Sequence, residues 1–174
     1  MITRLAKIAL VAAVAFLFTI VVFNNLTDYN SNFGFIQHVM SMDTIFPNNH
    51  GLWRAITVPA LHHVFYVLVI CWEATSATLC WAGAVKCWRK RHGRAAEFNQ
   101  AKDLAIGALT LIVLMFTVVF LSIGGEWFLM WQSQTWTGQP AAFGMISSIG
   151  LILIFLSLPD LDLEPREFPL GPPQ

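Results

Sequence analysis

Glu73 is the single carboxylate inside the apolar run VFYVLVICWEATSATLCWAGA. Stepping from it at roughly 100° per residue gathers His62, Tyr66, Val69, Ser76 and Cys80 onto one face of a helix. An imidazole, a phenol, a carboxyl and a hydroxyl along one stripe can relay a proton, hold a polar ligand, or fix helix register through hydrogen bonds. No Lys or Arg shares the run, which extends from about Pro59 to Val85. An acid in such surroundings should be neutral and hydrogen-bonded, with Thr110, Thr117, Ser147 and Ser148 as candidate partners from other helices.

Two further groups have side chains suited to chemistry. His38, His50, His63 and Asp43 are weak metal-ligand candidates, since three such groups converging can hold zinc or copper. Against this, no HxxxH or HExxH spacing occurs, and the adjacent His62 and His63 point about 100° apart on a helix. No metal and no other cofactor is expected. Glu126, Trp127, Trp131 and Gln132 form the second group, a candidate recognition patch in which Trp supplies rigid area and Gln supplies hydrogen bonds. The plainer alternative is an interfacial aromatic belt with a solvated acid. No Ser-His-Asp order, phosphate-binding Gly loop or nucleotide fingerprint is present, which argues against an enzyme.

These residues must be positioned by elements of one kind. Of the 174 residues 56% are hydrophobic and 11% charged, and the mean hydropathy is +0.62. A soluble domain carries about 25% charged residues. Four apolar stretches exceed the length of a core helix, and in lipid each must satisfy its own backbone hydrogen bonds, which leaves helix as the conformation. The expectation is therefore an all-α, four-transmembrane-helix bundle occupying residues 1–158, with spans at about 5–24, 58–86, 103–124 and 141–158. The first span reads as uncleaved, because no small-x-small site follows Phe23. Residues 159–174 read as an acidic, proline-rich cytoplasmic tail, more suited to a flexible segment than to a docked strip.

Charge sets the orientation. Arg4, Lys7, Lys86, Arg89, Lys90, Arg91, Arg94, Lys102 and Arg166 lie on one side of the spans and only Arg54 on the other. This places both termini inside and two loops outside. Within the first loop, Phe35, Ile36, Val39 and Met40 approach helical spacing and predict a short helix lying on the bilayer surface. The second loop opens with Gly124-Gly125, a pair suited to ending or bending the third span. Trp53, Trp127, Trp131 and Trp136 make an outer aromatic belt. Asn25-Leu26-Thr27 matches the glycosylation sequon, a pattern common by chance. Cys71, Cys80 and Cys87 fit no zinc spacing and read as packing residues.

The stretches NNLTDYNSNFGFIQHVMSMDTIFP (Asn24 to Pro47) and GGEWFLMWQSQTWTGQ (Gly124 to Gln139) resemble a bacterial family of predicted small integral membrane proteins, a domain of unknown function numbered 2165. The resemblance covers nearly the whole chain. It implies four spans in a bacterial inner membrane and brings no catalytic residues with it.

Three functions from different classes follow. The first is an accessory or interaction subunit, contacting lipid and other membrane subunits or a second copy of itself, with no nucleic-acid partner. Its small-xxx-small pairs Ala9/Ala13 and Gly144/Ser148 suit helix contact. The second is a proton-coupled carrier or channel using Glu73. The third is a membrane enzyme or metal or redox subunit using the outer His and acidic residues.

Overall fold

The computed structural model describes residues 1–162; residues 163–174, most of the expected tail, lie outside the described residues. Helices α1 (Ile2–Thr27), α2 (Tyr29–Ser41), α3 (Pro59–Lys90), α4 (Ala95–Ala101), α5 (Asp103–Leu114) and α6 (Gln139–Ser157) make up the fold, with no strand among the described residues. α5 continues into a π-helix over Met115–Trp127. Four helical runs, Ile2–Thr27, Pro59–Lys90, Ala95–Trp127 and Gln139–Ser157, are long and apolar enough to cross a bilayer.

Their outer surface carries many large apolar side chains. Phe16, Phe23, Val64, Leu68, Phe143, Leu151 and Ile154 are all exposed, an arrangement that water would oppose and hydrocarbon favours. Inside, small residues set the spacing. Ala77, Cys80 and Ala84 of α3 join Ala105 and Ala108 of α5 and Val14, Ala15 and Phe18 of α1 in one buried cluster. Gly83 is where the approach is closest, since a β-carbon there would lie 2.8 Å from the Ala105 backbone. Small residues let membrane helices come together where no hydrophobic effect drives them. Span polar groups bond across helices, as the Trp72 indole donating to the Leu111 carbonyl (3.0 Å) and the Trp81 indole donating to Thr19 Oγ1 (3.1 Å) both do.

At the loop end, α2 follows α1 after one residue, Asp28, and packs on α3. The residues expected to face the bilayer surface pack against the protein instead. Val39 and Met40 are buried with Met42, Phe128 and Met130, and Phe35 and Ile36 pack against them. Gly124 and Gly125 do not end the third run, which continues to Trp127. Their missing side chains admit the returning chain instead: a β-carbon at Gly124 would lie 3.1 Å from Met130 Sδ, and one at Gly125 2.6 Å from Gln139 Nε2.

At the terminal end, the first residues after α6 are docked rather than free. Lys7 Nζ donates to Asp160 Oδ2 and to the Leu158 carbonyl, each at 2.7 Å. Lys102 Nζ donates to the same two acceptors at 3.0 and 2.8 Å. Asn99 and the Asp160 backbone exchange two hydrogen bonds of 2.9 Å, and Asp162 accepts from the Ala95 amide at the start of α4. Burial alone would raise the Asp160 carboxyl, but hydrogen bonds from Lys7 and Lys102 outweigh it and hold the group below its ordinary value. Residues 159–162 are therefore docked, and the rest of the expected tail lies outside the described residues.

Candidate functional site

The stripe on α3 is buried as its spacing predicts: His62, Tyr66, Glu73 and Ser76 all face protein. They do not act as one group. Glu73 takes its hydrogen bond from Asn25 Nδ2 at 2.6 Å, so its partner comes from α1 and is none of Thr110, Thr117, Ser147 or Ser148. Thr110 bonds its own helix at the Ile106 carbonyl, and Thr117, Ser147 and Ser148 are exposed. Asn25 Oδ1 in turn accepts from Asn32 Nδ2 at 2.6 Å and from the Tyr66 hydroxyl at 3.2 Å. One buried amide thus ties α1, α2 and α3 together at their common corner. His62 stands apart, its Nε2 donating to the Ile56 carbonyl at 2.7 Å, while His62 Nδ1 and Ser76 Oγ are buried without a partner among the described residues.

Why the corner forms there follows from helix lengths. α3 has 32 residues and α1 has 26. At 1.5 Å per residue Asn25 lies about 27 Å along α1 from the buried Lys7, close to the ~30 Å of a hydrocarbon core. Glu73, near the middle of its own helix, is therefore level with the far end of α1 and not with the middle of the bundle. α3 runs on past it and carries α2 on its side.

A cleft of about 250 Å³ opens at this corner, lined by Asn25, Asn32, Tyr66 and Glu73 with apolar walls from Phe35 and Phe120 among others. Asn25 is 5% exposed, Tyr66 2% and Glu73 6%, so these three are almost fully withdrawn into it, while Asn32 at its rim is exposed. Burial also disposes of the sequon reading, because an asparagine held between two helices cannot carry a glycan. Beneath the cleft the bundle is apolar, with Phe18, Ala77, Cys80 and Ile112 packed in one cluster.

The two long loops place the other candidates. Glu126, Trp127 and Trp131 are exposed, but Gln132 is turned inward, where its side-chain carbonyl accepts from the Phe46 amide (3.2 Å) and Asn49 Nδ2 (3.0 Å). Trp127 packs edge-on against Trp53, and Arg54 lies over both rings. Trp131 packs against Phe46 instead. Gln132 is thus a clasp between the two loops, and the expected patch is not one four-residue surface. The His and Asp candidates separate as well. His38 pairs with Asp43 at 2.8 Å, His63 Nδ1 meets the Tyr29 hydroxyl at 2.9 Å, and His50 is exposed. No three potential ligands come together among the described residues.

Sequence reasoning missed Asn25, Asn32 and the Lys7–Lys102–Asp160 cluster. For the cluster a signal existed: two lysines at the starts of the first and third spans and an aspartate just past the fourth must share one level of the bundle.

Four helices long and apolar enough to cross a membrane, closed around a small-residue core, mark an integral membrane protein. The chain belongs to the family described as predicted small integral membrane protein (DUF2165), whose model matches residues 3–159. Neither the comparison with curated proteins nor that with solved structures returns a match.

Proposed function

We propose that this protein is a non-enzymatic accessory subunit that packs laterally against a partner in a bacterial inner membrane, with both termini cytoplasmic. The observation that carries the reading is the outward face of α6. Only 17% of its apolar window is buried, against 33% for each of the other three candidate spans. That face presents Gly144, Ser147 and Ser148, and nothing lies within 4 Å of where a β-carbon on Gly144 or Gly150 would stand. The hydroxyls of Thr19, Thr75, Thr78 and Thr110 return to their own helix carbonyls, whereas those of Ser147 and Ser148, like those of Ser76 and Thr117, make no hydrogen bond among the described residues. Small residues and free hydroxyls on a lipid-facing helix are the chemistry of close helix contact. Ala9 and Ala13 are likewise exposed on α1.

Purification from native membranes in mild detergent tests this. A stoichiometric partner, or a defined homo-oligomer, should co-purify with the wild type and be lost in Gly144→Leu/Ser148→Leu, while the variant remains folded. Retention of the same assembly in that variant would contradict the reading. Orientation is tested by cysteine accessibility at Asn48, Gly93 and Gln134: the first and last should label from outside, and labelling of position 93 from outside would overturn the topology.

The carrier reading is less well supported. Glu73 opens toward the loop end alone, and the cluster of Phe18, Ala77, Cys80 and Ile112 stands between it and the terminal end.

A further inference from the structure

We propose that the cleft at Glu73 and the apolar cavity beside it form one binding site for an organic ammonium ion with an apolar body. Glu73 takes part in none of the salt bridges among the described residues, and its one hydrogen bond there goes to Oε2. Asn25 is already committed through both ends of its amide. The site thus has an acceptor to spare and no charge of its own to set against an ionised acid.

The walls suit a cation whose charge is wrapped in carbon. Phe35, Tyr66 and Phe120 line the polar cleft, and Tyr29 sits 4.6 Å from Tyr66, centroid to centroid. Aromatic faces attract ammonium ions, most strongly where water is excluded. Next to the cleft lies a cavity of about 60 Å³ lined without a charged or polar side chain, which shares Phe35, Ile36, Val69 and Phe120 with it. Phe65, Phe128 and Met130 extend its apolar lining. One side is built by the π-helix, from which Val119, Phe120, Ile123 and Gly124 face the space. An apolar cavity with a few convergent polar groups at one end is how small-molecule sites are made. The buried carboxylate selects the sign: an anionic head would meet Glu73 with nothing to neutralise it, whereas an ammonium supplies the missing partner.

The probe is benzyltrimethylammonium, measured by equilibrium dialysis against the full-length protein in phosphatidylcholine nanodiscs, with empty discs as background. Saturable binding of one probe per chain is expected. Its uncharged isostere, neopentylbenzene, should not displace it. Glu73→Gln should weaken binding by roughly tenfold or more, and Glu73→Asp should restore most of it. Absence of saturable binding above empty discs, or equal affinity in Glu73→Gln, would overturn the proposal. A second measurement needs no variant: a hydrophobic carbodiimide should modify Glu73 in the wild type, as mapped by mass spectrometry. Benzyltrimethylammonium should slow that modification and neopentylbenzene should not. A modification rate unchanged at saturating probe would likewise overturn it.

Discussion

Each end of the bundle buries a carboxylate, and the two are treated in opposite ways. Asp160 is held by two lysines, Lys7 and Lys102, that are each 2% exposed, and Arg4 approaches it at 3.9 Å. Glu73 is held by an amide and lies in a cleft with a phenol and a second amide. The first arrangement is closed, with both lysines and the Leu158 carbonyl drawn into one knot that fixes α1, the start of α5 and the end of α6. The second leaves an acceptor facing open space. A buried charge surrounded by its counter-charges is a structural device, whereas a buried acid without a cation beside a cavity has capacity left for a ligand.

The comparison breaks most easily at Asp160. Asp160→Asn keeps the shape but leaves two buried ammonium groups without an anion, and should cost about 3–5 kcal/mol, read as a large fall in thermal midpoint in detergent. The same residue sets an acid limit. Its carboxyl sits below the ordinary 3.8, so its contribution is fully present above that value and is lost as pH falls through the lower folded one. The Asp160 contribution to stability should therefore stay level down to about pH 5 and fall below about pH 4, with that part of the acid-induced fall missing in Asp160→Asn.

Asn25→Ala comes next. It removes the group that joins Glu73, Tyr66 and Asn32, and should cost about 2–3 kcal/mol because two buried polar groups, Glu73 and Tyr66, lose a partner together. Glu73→Ala should cost about 1–2 kcal/mol, since only the Asn25 amide is stranded. A cost for Glu73→Ala as large as that of Asp160→Asn would erase the distinction between the two ends.

Much of this was legible in the residues, and what was not has identifiable physical causes. Four spans follow from hydropathy because lipid admits so few backbone solutions. Helical spacing alone put His62, Tyr66, Glu73 and Ser76 on the protein-facing side of α3. The partner of Glu73 was not legible, because it depends on where α1 stops against a longer α3, and no local pattern encodes that. Asn25 looked like a chance sequon for the same reason. Gln132 was read as a surface residue from its tryptophan neighbours, yet the two loops fold back on each other and enclose it. The basic residues were read for topology, which treats charge as a count per loop. Lys7 and Lys102 act instead as individual donors to Asp160, a contact between helix ends more than 50 residues apart in sequence.

The distinction between the two carboxylates is tested most directly by neutralising each without changing its shape and comparing thermal unfolding of Glu73→Gln and Asp160→Asn side by side. A glutamine at position 73 can still accept from the Asn25 amide, so Glu73→Gln should lie within about 0.5 kcal/mol of wild type while Asp160→Asn loses several. Equal losses, or a larger loss at position 73, would show that Glu73 is held by charge after all and contradict the account.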